Sequence, residues 1–326
     1  ERGCFQVNAE VPTTNYKVIT ENPKIDIVHV CAPNHLHKDM LLSAIQHQKH
    51  IYCDKPLVAN SQEAEAIKEA LLEYRAVAQM TFQNRFFPAT IRAAQMRKDG
   101  FLGKVLEFRA CYLHSGSADP KAPLKWKLSA GYGGGVIADL GSHVLDLIHH
   151  LIGDYDQVVA STRIAYPQRP SVSDPAKMVD VDAEDAVMII ARMQNGAIGT
   201  IEATKTATGA EDELRFELHG SKGALRFNTM HPHHLGVYDA TVSDKPFGGK
   251  RGWTKIDTGH RYQETNFPGA KFSIGWLQSH VACLFNFIQS VAKNEPGNPG
   301  LGQGIYIQRL LGHIRESAST NNWVSV

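Results

Sequence analysis

The sequence predicts an α/β fold. An incomplete parallel-sheet domain spans residues 1–86, and an α+β domain built on a large, mostly antiparallel open sheet spans 87–326. Three observations predict this. The first eighty-odd residues alternate short apolar runs with helix-period stretches, as βαβ units do. From residue 104 onward, strand-like segments follow one another through short turns, which is hairpin connectivity. A chain of 326 residues is also longer than one hydrophobic core usually serves.

In chain order, residues 26–33 (DIVHVCAP) read as a continuous apolar strand ended by proline. HKDMLLSAIQHQ follows as a helix with Met40, Leu41, Ala44 and Ile45 on one face. Residues 50–56 (HIYCDKP) form a second short strand. A helix then starts at Ser61, where Glu63 and Glu65 favour an N-terminus, and AVAQMTF is the third strand. In the second half, KVLEFRACYLH, QVVASTRIAY, AVMIIARMQ, AIGTIEATK, ELRFELHG and ALRFN read as strands. Asn195-Gly196 is a strong hairpin signal, and Gly220 to Gly223 marks another tight turn. Helices such as residues 281–293 are expected to cover one face of this sheet. Residues 167–182 are polar and proline-bearing, hence a loop, long enough to suggest a role over a site.

Composition narrows the function classes. Thirty-four basic against thirty-three acidic residues leave a net charge of +1, which gives no footprint for nucleic acid or an anionic membrane. No run of about 18 apolar residues marks a membrane span. Five scattered cysteines form no CxxC pair, which points to free thiols in a reducing cytoplasm.

Three motifs carry chemistry. CAPNHLH lies where a parallel strand ends, the place where open α/β sheets bind ligands; alternatively Asn34 simply caps the next helix. CDKP puts Lys55 at another strand end, where it can donate to a substrate oxygen or merely be solvated. In GGGVIADLGSHVLDL, Asp139 and His143 are four apart and so share a helical face, with Asp146 further along. A carboxylate that orients an imidazole makes an acid/base pair, and a hydrogen-bonded core histidine is the competing reading. Gly133, Gly134 and Gly135 permit close backbone approach. Asp-x3-His supplies only two ligands, so no metal is expected. Asp146 reads as a structural hydrogen-bonding group.

Taken in this order, PNHLH, DKP, Trp-Lys, GGG and D-x3-H-x2-D resemble the Gfo/Idh/MocA family of nicotinamide-dependent sugar and cyclitol oxidoreductases. The resemblance runs from about Tyr16 to the C-terminal SAST-NNWVSV segment. It implies a Rossmann-type first domain that binds NAD or NADP, and oxidation of a secondary ring hydroxyl of a sugar, inositol or glycoside. Lys55, Asp139 and His143 would handle the proton, with His143 as base and Asp139 orienting it. Cys31, Pro33, Asn34, His37, Asp54, Lys55, Trp126 and Lys127 would lie on the cofactor side. Asp54 stands where the family usually has glutamate. Tyr112, His114, Arg163 and Tyr166, with Lys55, Asp139 and His143, are the substrate-side candidates. Oxidation of a glycoside before loss of its aglycone, an NAD-assisted glycosidase, and a non-enzymatic cofactor-binding regulator are the alternatives. The free face of the sheet suggests a homodimer or homotetramer. The family's opening strand, Gly-rich turn, helix and second strand are expected to precede Glu1, which makes this sequence a fragment.

Overall fold

The computed structural model describes residues 10–258 and 273–326. A four-residue helix, α1 (Lys17–Thr20), leads to a parallel sheet of β1 (Ile27–Val30), β2 (His50–Cys53) and β3 (Ala78–Met80), in that order. Helices α2 (His37–Gln46) and α3 (Ser61–Ala70) make the crossovers. Asn60 starts α3 by accepting the Glu63 amide, so the cap precedes the expected first residue. Val30, Cys53 and Met80 lie side by side, so Cys31, Asp54 and Thr81 emerge together from the carboxyl edge.

Helix α4 (Pro88–Lys98) connects to the second sheet. Its first six strands are β4 (Val105–Leu113), β5 (Tyr155–Arg163), β8 (Ala186–Met193), β9 (Ile198–Thr204), β10 (Glu213–Gly220) and β11 (Gly223–Asn228). β12 (His234–Asp239), β13 (Trp253–Asp257) and β14 (Val324–Ser325) complete it. The spatial order is β13-β12-β11-β10-β4-β9-β8-β5-β14, and only β4 and β9 run parallel. The β8–β9 hairpin turns at Gly196, whose φ of +86° is a conformation that glycine tolerates best. Along β8, Val187, Ile189, Ala191 and Met193 point to the core while Met188 and Ile190 face outward.

The inner face packs on α5 (Ser142–Ile152), a helix buried on nearly every side, with the polar Ser142, His143 and Asp146 among its buried residues. Two expectations change here. The helix over residues 281–293, observed as α6 (Trp276–Lys293), does not cover the large sheet. Its Cys283 and Phe287 pack on Tyr52 and Val77 of the parallel sheet instead. The large sheet is covered by α5 and by α7 (Leu301–Thr320), which also lies on α3. Amphipathicity showed that residues 281–293 bury a face, but not which sheet receives it.

The segment 167–182 is also more ordered than a loop. It forms a hairpin of β6 (Gln168–Pro170) and β7 (Met178–Asp180). Arg169 anchors it by donating to the carbonyls of Ser117, Asp119 and Ala122. The four described cysteines are free, and Cys4 lies outside the described residues. No described helix is long and apolar enough to cross a membrane.

Candidate active site

The site forms where the carboxyl edge of the parallel sheet meets the start of α5. Asp54 fixes the strand end: its Oδ1 accepts from the Lys55 amide at 2.8 Å and from Thr81 Oγ1 at 2.7 Å. Lys55 is thereby aimed across to Asp139. Its Nζ donates to the Asp139 carbonyl at 2.7 Å and to Oδ1 at 2.8 Å.

Asp139 does not sit in an α-helix. Residues Ile137–Gly141 form one π-helical turn before α5 begins. Such a turn carries an extra residue and disturbs the regular carbonyl pairing, which suits the Asp139 carbonyl to accept from Lys55. The side chain is shared by two further lysines. Lys127, from the 3₁₀ turn Trp126–Leu128, reaches Oδ1 at 3.2 Å, and Lys205, just after β9, reaches Oδ2 at 2.8 Å. Burial would raise the Asp139 carboxyl, but the ammonium groups of Lys55, Lys205 and Lys127 outweigh it and hold the group well below the usual carboxylate range. Lys205 is nearly buried, and desolvation pulls its ammonium down although Asp139 opposes the shift.

The expected pairing of Asp139 with His143 is therefore corrected. No hydrogen bond joins them among the described residues. The π turn shifts the phase that α-spacing assumed, and three lysines occupy the carboxylate. His143 is 5% exposed and its Nδ1 has no partner. Its ring lies edge-on to Phe82 and Tyr112, with centroids 6.3 and 5.8 Å away. Burial first, and then Lys55, push its pKa well below the ordinary histidine value, so it is a neutral imidazole at physiological pH. Tyr112 donates to Asp212 Oδ1 at 2.6 Å, and His114 Nε2 meets the same oxygen at 2.9 Å.

The remaining expected residues divide. Cys31 is exposed at the sheet edge. Pro33 precedes a short 3₁₀ turn, Asn34–Leu36, which no side chain caps. Asn34 Nδ2 instead donates to the Gly133 carbonyl at 2.8 Å, which ties the strand-end loop to the glycine run. His37 is sealed, with Nε2 2.7 Å from the Ala32 carbonyl and Nδ1 3.2 Å from those of Pro56 and Leu57. Its ring braces two loops and presents neither nitrogen to a ligand. Trp126 stands beside Lys127, whose Nζ is 5.9 Å from the ring centroid.

The three glycines make room for protein, not ligand. A Cβ at Gly133 would lie 2.8 Å from that of Ala59, and one at Gly135 would strike the Glu184 carboxylate. Arg163 lies on the outer face of the large sheet with Met188 and Glu202, away from the lysines. Tyr166 donates to the Ala118 carbonyl and stacks on Arg169, so it belongs to the anchored hairpin. Lys205 was not foreseen. It ends an apolar strand as Lys55 does, but nothing in AIGTIEATK says which helix that strand end faces.

Comparison with known proteins agrees with this architecture. Residues 4–82 match the model of an oxidoreductase family with an NAD-binding Rossmann fold, and residues 90–226 match the GFO/IDH/MocA C-terminal domain. Levoglucosan dehydrogenase of Pseudarthrobacter phenanthrenivorans is 32% identical over 97% of this chain and 84% of its own length. The scyllo-inositol 2-dehydrogenase (NAD(+)) of Bacillus subtilis is 28% identical over 70% of this chain and 62% of its own. A levoglucosan dehydrogenase solved with NADH and levoglucosan superposes with a TM-score of 0.93 at 30% identity, covering 100% of this chain and 87% of that one. The parallel and open sheets, the strand-end lysine and this breadth of similarity lead to one conclusion: the chain belongs to the Gfo/Idh/MocA family of oxidoreductases.

Proposed function

We propose that the protein oxidises a secondary ring hydroxyl of a sugar, a cyclitol or a glycoside, or reduces the matching ketone, with NAD or NADP. One observation carries the reading. A buried, neutral imidazole with an unpartnered nitrogen, His143, lies close enough to the Lys55 ammonium for that charge to depress its pKa. The dehydrogenases of sugars and inositols among its relatives support the same reading.

The residues present fit a nicotinamide cofactor. The carboxyl edge of the parallel sheet is open at Cys31, and the loop at Pro33 and Asn34 borders it. When bound, the cofactor supplies the hydride acceptor. His143 takes the hydroxyl proton, and Lys55 donates to the oxygen as it gains alkoxide character. Asp139 acts through the lysines: it fixes the Lys55 ammonium and keeps three cations together. Trp126 and Lys127 would lie near the cofactor.

We place the division between the two domains near residue 86, between the two matched regions. The cytoplasm is the proposed compartment, in keeping with the free thiols. We also assign the outer face of the large sheet to association with a second copy. It holds a hollow of about 650 Å³ whose walls include Arg109, Met188, Ile190, Glu202 and Arg215, so apolar rows stand among charges of both signs. Met188→Glu should then lower the mass measured by light scattering, and an unchanged mass removes this assignment.

A panel of monosaccharides, inositols and glycosides, assayed with NAD and with NADP, tests the activity. His143→Ala should lower kcat by about 10²–10⁴. A folded His143→Ala variant with full kcat overturns the assignment of the base. Turnover of none of the panel overturns the reaction and favours a regulator.

A further inference from the structure

We infer that the cleft beside the lysine cluster receives an anionic group, a phosphate or a carboxylate, carried by the sugar. The inference rests on the sugar-dehydrogenase reading and narrows its substrate class. The cleft has a volume of about 220 Å³, and its walls include Asp139, Lys125, Lys127, Lys205 and Arg169. Four cationic side chains therefore face one carboxylate, and that carboxylate already serves Lys55 as well.

Arg169 is the most telling of them. It is 1% exposed, yet every partner it has is neutral. Nη1 donates to the carbonyls of Asp119 and Ala122, Nη2 to that of Ser117, and the guanidinium lies 5.2 Å from the Tyr166 ring centroid. Its Nε has no partner, and among the described residues no carboxylate pairs with it. Arginine cannot shed its proton at physiological pH, so a full positive charge is held behind the cleft wall. Burying an unpaired charge is costly, and an anchor for the hairpin needs only a hydrogen-bond donor.

The cations arrive from separate parts of the chain. Lys125 and Lys127 flank Trp126, Arg169 comes from β6, and Lys205 follows β9. Holding Asp139 ionised does not require Arg169 or Lys125. Lys125 makes no ion pair among the described residues and stands exposed, while Lys205 is nearly buried, so the positive charge runs from solvent to the cleft interior. Cleft walls of low dielectric focus such a field and favour a ligand with a negative group.

Matched substrates decide it. Glucose, glucuronate and glucose 6-phosphate, and inositol beside inositol 1-phosphate, are compared by kcat/KM with NAD or NADP and by calorimetric binding. An anionic member should exceed its neutral parent by about tenfold, chiefly through KM, and lose that advantage as salt is raised. Preference for glucuronate or for the phosphates identifies which anion the cleft takes. Lys125→Glu should shrink the anionic-to-neutral ratio roughly threefold. Neutral sugars turned over as well as their anionic partners, with a ratio that Lys125→Glu leaves unmoved, overturn the inference while the dehydrogenase reading stands. If nothing is turned over, calorimetry decides alone: tighter binding of the anionic hexose supports the cleft's role, and equal or absent binding overturns it.

Discussion

Asp139 and Asp146 stand seven residues apart on the same stretch, and their environments differ in depth of burial and in the cations they meet. Asp146 meets a single cation. Arg85, from the 3₁₀ turn Gln83–Phe86, grips it through Nε at 2.6 Å and Nη2 at 2.5 Å, and Gln303 adds a bond at 2.8 Å. Asp139 meets three ammonium groups. Burial pushes the Asp146 carboxyl up despite Arg85, whereas the lysines drive that of Asp139 down. Asp146 is the more deeply buried, its side chain 1% exposed against 17% for Asp139, and it has fewer cations to replace its water; together these set the direction. A planar bidentate pair closed on both sides is a structural clasp. A carboxylate shared among flexible lysines next to a cleft can pass its partners to a ligand.

The largest effect that would sharpen this contrast is on stability. Asp146→Ala leaves the Arg85 charge buried without its partner and should cost about 3–5 kcal/mol. Chemical denaturation measures it, and the remaining folded enzyme should keep its kcat. A loss below 1 kcal/mol would mean that Arg85 finds water, and the clasp would not be structural. Asp139→Asn should act the other way round. It disperses the lysines, lowering kcat/KM by roughly 10- to 100-fold, about 1.4–2.8 kcal/mol. Equal losses of stability and no loss of activity in the folded fraction would make Asp139 a second clasp.

The smallest effect is a pH slope. His143 has a folded pKa well below its ordinary value, so the unfolded chain takes up the proton first. Its contribution is complete above an unfolded pKa of about 6.5 and is lost as pH falls towards the folded value. His143→Phe should therefore lose less stability than the parent between neutral and mildly acidic pH. Parallel stability curves for the two would show that His143 is not held neutral by the fold.

Much of this arrangement was legible in the sequence. Alternation of apolar runs with helix-period segments marked the parallel sheet, and Asn195-Gly196 marked the β8–β9 hairpin of the large sheet, because these signals are local. Lys55 was legible as a strand-end lysine pinned by Pro56. His37 was misplaced because a sealed imidazole and a ligand-facing one look alike in PNHLH. Arg163 was misplaced because strand alternation gives two faces without saying which one meets the site, and Tyr166 because it lies beyond the end of β5, where contacts to Ala118 and Arg169 place it. The pairing of Asp139 with His143 failed because a π turn inserts an extra residue that periodicity assumes away.

The sequence by itself determined the two sheets, the family to which the motifs belong, and the residue types that can move a proton. These follow from local propensity, from period and from the order of motifs along the chain. Only the tertiary structure decided that Asp139 pairs directly with Lys55, Lys127 and Lys205 and bears on His143 only through its charge, and that Asp146 closes on Arg85. Electrostatic partnership depends on separations of a few ångströms between groups that are, for Lys55 and Asp139, 84 residues apart in the chain. Coulomb energy in a dehydrated site changes steeply over such distances, and only the packed fold sets them.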